Sequence, residues 1–235
     1  MARLLVLDTT TEFGSLALLE DGLVVEEMLL HSPDGFGHVL FDRLRALLER
    51  RAWPIESVDC FAAASGPGSF TGVRVGLAAA KGLAEATGKP MVAVSNLQAI
   101  AWHGSRAVRA VVVDARRGEI YGGLYDGSLA PLREEVVARL PAFLASLPVG
   151  DFEFLSTDFS PFRPSLAGTR FETTPVVTVP RALAGAVGRI AWSIFAAGAA
   201  PDPAAVDANY VRRSDAELLW RDAPATSHPP STQST

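Results

Sequence analysis

Short apolar runs punctuated by turn residues dominate the first thirty positions. Residues 4–7 (Leu-Leu-Val-Leu) end in Asp8, residues 15–19 form a second run, and Glu20-Asp21-Gly22 supplies turn chemistry before residues 23–28. This spacing predicts consecutive antiparallel strands. The same order recurs downstream: residues 111–113 lead to Asp114, a polar turn spans residues 115–118, a strand covers residues 120–125, and Asp126-Gly127 follows. From the first Asp to the Asp-Gly pair is 13 residues in one copy and 12 in the other. Two lobes, each opened by a strand–Asp–turn–strand hairpin, is the simplest explanation; the alternative is a coincidence of two ordinary hairpins.

Two helical stretches lie between the hairpins. Residues 36–50 carry Val39, Leu40, Phe41, Leu44, Leu47 and Leu48 over roughly half the helical wheel, more apolar surface than one sheet is expected to cover. Residues 72–87 place Val73, Leu77, Ala80 and Ala84 on one face, Arg74, Lys81 and Glu85 on a narrow polar stripe, and Gly76, Ala79, Leu83 and Ala86 on a second apolar face of mostly small residues. Small residues let another helix approach closely; the alternative is burial of both faces within the chain. Lys89-Pro90 then breaks the helix and residues 91–94 return as a strand, an α/β order. Residues 141–147 predict a short helix, 152–155 a strand, and Pro180 opens an amphipathic helix through Leu183, Val187, Ile190 and Ile194 that Gly198 and Pro201 end. The expected organisation is a first lobe over 1–104, completed by 207–222, a reduced second lobe over 105–206, and a disordered tail over 223–235.

Composition narrows the function classes. The 235 residues are 49% apolar and 20% charged, which excludes wholesale disorder. The net charge of −5 is spread without a block, so a self-sufficient nucleic-acid-binding surface is disfavoured. The lone Cys60 sits in the apolar string Asp59-Cys60-Phe61-Ala62-Ala63-Ala64 and reads as a buried structural thiol. The N-terminal apolar run is too short for a secretory signal, and the longest such stretch, residues 190–200, is about half of the roughly 20 residues that span a bilayer. The expected location is the cytoplasm.

The most specific motif is Ser65-Gly66-Pro67-Gly68-Ser69-Phe70-Thr71-Gly72-Val73-Arg74-Val75-Gly76, which follows a strand and opens a helix. Backbone amides in such a turn can converge on an anion at the helix N-terminus. It lacks the Gly-Lys-Ser/Thr ending of a Walker loop and the Gly-x-Gly-x-x-Gly spacing of a dinucleotide site. A tight turn presenting Phe70 to a partner is the equal alternative. With Asp8-Thr9-Thr10-Thr11, whose acid and hydroxyls suit either a metal-bound phosphate or a simple turn, the candidate degenerate phosphate set is Asp8, Thr9, Thr10, Gly66, Gly68, Ser69, Thr71 and Gly72. His31 and His38 are seven apart, His103 and His228 are isolated, and no zinc or peptidase signature is present, so no metal ligand or catalytic residue is assigned.

The strings Leu5-Val6-Leu7-Asp8-Thr9-Thr10-Thr11, Gly66 to Gly76, Val94-Ser95-Asn96-Leu97 and Val113-Asp114-Ala115-Arg116-Arg117-Gly118-Glu119-Ile120-Tyr121 occur in the order found in the bacterial TsaB (YeaZ) family, which the chain resembles over roughly residues 3–215. Ala208-Asn209-Tyr210-Val211-Arg212-Arg213 resembles that family's closing element, whereas residues 128–200 add almost nothing. The resemblance implies the two-lobed α/β fold of actin, hexokinase and Hsp70, each lobe a mixed sheet flanked by helices. It also implies a non-catalytic role in threonylcarbamoyl modification of the tRNA adenosine next to the anticodon. In that family the paralogue TsaD, which carries metal-binding histidines, catalyses transfer, and the ATPase TsaE joins the complex. No nucleotide is expected to bind tightly, with weak ATP or ADP binding left open in the complex. Pairing with TsaD, or with a second copy, is implied for the first two helices, with Leu40, Phe41, Leu44, Leu48, Phe70, Gly76, Ala79 and Leu83 as interface candidates; contact with tRNA is indirect. An ATP-dependent phosphotransferase of the same fold is the alternative, and the glycines within residues 31–38 make the start of the first helix uncertain.

Overall fold

The computed structural model describes residues 1–211. Residues 212–222 of the stretch expected to complete the first lobe, Arg212 and Arg213, His228 and the 223–235 tail all lie outside the described residues.

The repeat is a structural one. Arg3–Asp8 (β1), Phe13–Glu20 (β2) and Leu23–His31 (β3) form an antiparallel meander, and Cys60–Ala64 (β4) and Met91–Val94 (β5) extend it in parallel, giving the order β3-β2-β1-β4-β5. Val108–Asp114 (β6), Ile120–Asp126 (β7), Pro131–Ala138 (β8), Glu153–Ser156 (β9) and Val176–Thr178 (β10) repeat the plan as β8-β7-β6-β9-β10, with the same parallel and antiparallel pairings. This is the two-lobed, actin-like arrangement of mixed sheets flanked by helices.

Burial of both faces explains why residues 4–7 of β1 and all of β4 are apolar. Leu5, Leu7, Phe61 and Ala63 face a core closed by Leu40–Arg50 (α1) and Phe70–Thr87 (α2), whereas Leu4, Val6, Cys60 and Ala62 face Ala184–Ala196 (α5) on the other side. The second sheet is covered on one face by Asn96–Ala101 (α3), through Leu97 and Ile100, and on the other by Leu140–Ala145 (α4), through Phe143 and Leu144. Between β9 and β10, Phe171 packs edge-on against Phe152 and Phe154, Phe159 lies tilted on Phe154 and Phe162 packs edge-on against Phe159, filling this layer without a long helix.

Each lobe therefore lends a helix to the other. Helix α3 follows the first sheet but packs on the second, and α5 follows the second sheet but packs on the first. Helix α5, within the 105–206 expected for the second lobe, packs in the first sheet's core. Its N-terminus is held by that sheet, since Ser15 Oγ accepts the N–H groups of Leu183 (3.0 Å) and Ala184 (2.9 Å) and Glu27 Oε1 accepts that of Gly185 (2.7 Å). These are amides that a helix cannot satisfy internally.

Helix α1 begins at Leu40, not residue 36, because Gly35 at φ +88 and a Ser32 hydroxyl donating to the Gly35 carbonyl (2.6 Å) turn the chain and bury Phe36 separately. Its apolar arc is less of a surplus than its width suggests: Leu40, Leu44, Leu47 and Leu48 are buried against the chain's own sheet. Among the described residues no helix is long and apolar enough to cross a membrane.

The seating of α5 is testable through its cap. Replacing Ser15 by Ala leaves two buried amides without their acceptor, and is expected to lower unfolding free energy by about 2 kcal/mol in urea titration. An exposed control, Ser193→Ala, should change little; equal effects would contradict the cross-lobe seating.

Candidate functional site

The glycine motif and the Asp8 turn meet at the start of α2. Ser69 caps the helix, its Oγ accepting the Gly72 N–H at 3.2 Å. Behind it, Ser69 N–H donates to the Thr10 carbonyl (2.7 Å) and Thr9 Oγ1 donates to the Gly72 carbonyl (2.7 Å). A Cβ placed on Gly68 would lie 2.3 Å from the Thr10 carbonyl oxygen, one on Gly72 would lie 2.1 Å from that of Thr9, and one on Gly76 would lie 2.4 Å from Thr9 Oγ1. These three glycines thus permit contact between helix and turn, and they face protein rather than an open cradle.

That geometry places the members of the candidate phosphate set. Gly68 and Gly72 are occupied by Thr9 and Thr10, Gly66 lies against the backbone of Asn209, and only Ser69 and Thr71 of the set are exposed. Asp8 is 1% exposed and turned inward, its Oδ1 accepting Thr10 N–H (2.9 Å) and Thr10 Oγ1–H (2.7 Å). Burial raises the Asp8 carboxyl above its ordinary value; the Thr10 bonds oppose the rise and the nearby Glu27 charge adds to it.

The outward face of α2 differs from the expected one. Gly76 and Ala79 are buried, the former against Thr9 and the latter in the first core, because the small-residue row is what lets α2 lie close to the turn and sheet. Facing solvent instead are Phe70, Arg74, Ala78, Gly82 and Glu85, and a Cβ on Gly82 would meet nothing within 4 Å. At the N-terminal end, the Arg74 guanidinium lies 3.7 Å over the Phe70 ring and its Nε donates to the Tyr210 hydroxyl at 2.9 Å. At the other end, a cavity of about 560 Å³ opens between α1 and α2. Phe41 (54% exposed) and Leu83 form its rim, Leu44, Leu48 and Trp53 its apolar wall, and Arg45 and Glu49 its polar edge. Of the interface candidates, Phe41, Phe70 and Leu83 thus reach the surface, Leu44 and Leu48 show only the side lining the cavity, and Leu40, Gly76 and Ala79 are interior.

A cluster that the sequence pattern does not reveal ties the lobes together. Ser95 Oγ–H and Tyr125 O–H both donate to Glu135 Oε1, and Asn209 Nδ2–H donates to Glu135 Oε2 at 2.6 Å. Burial, followed by the Glu135 charge, pushes the Tyr125 phenol upward and keeps it protonated. Nothing in the run Leu132-Arg133-Glu134-Glu135-Val136 distinguishes Glu135 from Glu134; only its partners, distant in the chain, do.

Cys60 is buried and His31 packs on an aromatic ring. Burial, aided by Asp59, pushes the Cys60 thiol up to about 12, so it is not a thiolate near neutrality. His31 stacks on Phe13 with centroids 4.5 Å apart. Among the described residues no group of three or more His, Cys, Asp or Glu side chains is placed to hold a metal ion.

Comparison with known proteins adds three findings. Residues 38–143 match the family TsaD, tRNA N6-adenosine threonylcarbamoyltransferase. The chain is 36% identical over 127 residues to the tRNA threonylcarbamoyladenosine biosynthesis protein TsaB of Escherichia coli, and 32% identical over 144 residues to TsaB of Bacillus subtilis. These matches span 52% and 60% of this chain but only 54% and 62% of the two relatives. In structure the chain is similar to YeaZ from Pseudomonas aeruginosa, with a TM-score of 0.71 and 26% identity over 89% of this chain and all of that one.

The raised Asp8 carboxyl fixes the sign of a pH effect. A carboxyl whose value is higher in the folded state favours folding when protonated; that contribution is complete below its unfolded value near 3.8 and is lost as pH rises through the folded value. Asp8→Asn keeps the Oδ1 acceptor and removes the buried charge. The variant is expected to be more stable than wild type at pH 7, with the gain shrinking toward pH 4 in denaturation curves. No gain at pH 7, or a gain that grows on acidification, would contradict this reading.

Proposed function

The chain belongs to the TsaB (YeaZ) family, and on that premise we propose that it is a non-catalytic partner of TsaD in the biosynthesis of threonylcarbamoyladenosine in tRNA. Threonylcarbamoyl transfer to the adenosine next to the anticodon belongs in this reading to TsaD, with TsaE as the accompanying ATPase. This chain supplies a docking surface, and its action on tRNA is indirect. Any ATP or ADP binds weakly and in the assembled complex.

The observation that carries the reading is the outward face of α2. In a helix interior, glycine is about 1 kcal/mol less favourable than alanine. Gly82 has open space around it, so no contact within the chain explains the missing side chain. With Ala78 one turn earlier, it makes a shallow strip on which another helix could lie at short distance. The strip runs beside exposed Phe41 and the apolar cavity, which suits a partner that inserts a side chain between α1 and α2.

The TsaD match at residues 38–143 includes both helices. A partner of related fold can therefore meet this face with its own corresponding helices, as like surfaces do in an isologous dimer. The same logic allows a homodimer, which would compete with TsaD for one surface. The phosphotransferase alternative draws less support, because Thr9 and Thr10 fill the space beside Gly68 and Gly72 and Asp8 points inward.

Gly82→Arg and Phe41→Glu test this face without touching the core. Both positions are exposed, and arginine is a better helix former than glycine, so circular dichroism and melting temperature should hold. Co-elution with TsaD on gel filtration should be lost, with affinity falling by at least about tenfold, since a charge buried without a partner is costly. Undiminished complex formation by both variants would overturn the assignment of the face.

A further inference from the structure

We propose that Glu135 is a positioning residue for the docking face, an inter-lobe clasp that holds the C-terminal stretch of the described chain against the start of α2. The proposal rests on the partner reading above for what the face does, but on geometry alone for the clasp.

The clasp gathers four separate parts of the chain. Glu135 is on β8 of the second sheet and Tyr125 is on the neighbouring β7. Ser95 directly follows β5 of the first sheet and caps α3, where its Oγ already accepts the Leu97 N–H at 3.1 Å and so must send its own proton elsewhere. Asn209 comes from the end of the described chain. Two hydroxyls and an amide, all donating, converge on one side chain, and a carboxylate is the group that accepts without offering a competing donor.

Beyond Glu135 the contacts run to the surface. The Asn209 N–H donates to the Ser65 carbonyl at 2.8 Å, which lays residue 209 along the glycine loop. Gly66 permits this approach, since a Cβ there would come within 3.1 Å of the Asn209 carbonyl oxygen. Asn96 supports the same loop from the other side, donating from Nδ2 to the Pro67 carbonyl at 2.7 Å. The next residue, Tyr210, has its ring centroid 5.8 Å from that of Phe70 and accepts from Arg74 through its hydroxyl. The exposed stack of Phe70, Arg74 and Tyr210 therefore has one member supplied by a segment that Glu135 holds in place from the opposite lobe.

Loss of the carboxylate should free residues 209–210 first. In the isolated 235-residue chain, Glu135→Ala and Asn209→Asp, which sets two carboxylates against each other, should each raise hydrogen exchange at the Asn209 amide by about tenfold or more, while amides of β1 and β6 stay within about threefold of wild type. Glu135→Gln should restore slow exchange, because its carbonyl can serve the hydroxyls and its amide can donate to a turned Asn209 side chain. TsaD affinity should fall about fivefold or more in the two disrupting variants and recover with glutamine.

Wild-type exchange at Asn209 in both disrupting variants would overturn the clasp, as would a rise shared equally by β1 and β6. A selective rise with unchanged TsaD affinity would overturn the positioning role. Should the wild-type chain fail to bind TsaD at all, the partner reading falls, while the exchange measurement still decides whether the clasp exists.

Discussion

The contact between the Thr9–Thr10 turn and the first two turns of α2 sets the rest of the molecule. Backbone meets backbone there with no room for a side chain at Gly68 or Gly72, and a backbone carbonyl cannot swing away as the end of a leucine can. Once that contact is made, the rotation of α2 about its axis is decided. Val73, Leu77, Ala80 and Ala84 go to the sheet, Gly76 goes to Thr9, and Arg74, Ala78 and Gly82 are turned to solvent. The glycine motif is thereby a packing joint between helix and turn.

The second constraint is the exchange of helices between lobes. Neither sheet is covered on both faces by its own segments, because α3 and α5 cross over. The lobes are consequently coupled through apolar cores and through the polar contacts at Ser15, Glu27 and Glu135. Buried Asp8 stands apart from this logic: its charge is disfavoured where it sits, and its hydrogen bonds stay within the turn.

Much of this was legible in the sequence where local rules suffice. The two hairpins declare themselves through period-2 apolar runs and the Asp21-Gly22 and Asp126-Gly127 turns, and both sheets are built around them. The rotation of α2 was not legible. A helix with two apolar faces does not say which one meets the sheet, and Gly76 and Ala79 looked like a partner face because the glycines' true neighbour, Thr9, is 67 residues from Gly76. Strand β8 lacks clean alternation, so neither it nor Glu135 stood out, and the aromatic packing between β9 and β10 has no period to detect. These features share a cause: each rests on contacts between residues far apart in the chain, which spacing rules do not encode.

The account assigns this chain the role of a partner whose surface, rather than whose cleft, does the work. The most direct measurement is reconstitution of tRNA modification from purified TsaD, TsaE and the threonylcarbamoyl-adenylate synthase, with this chain added in increasing amounts. The account predicts negligible threonylcarbamoyladenosine without it, a rise that saturates near one chain per TsaD, and no product when TsaD is omitted. Full modification in its absence, or product formed by this chain without TsaD, would contradict the account.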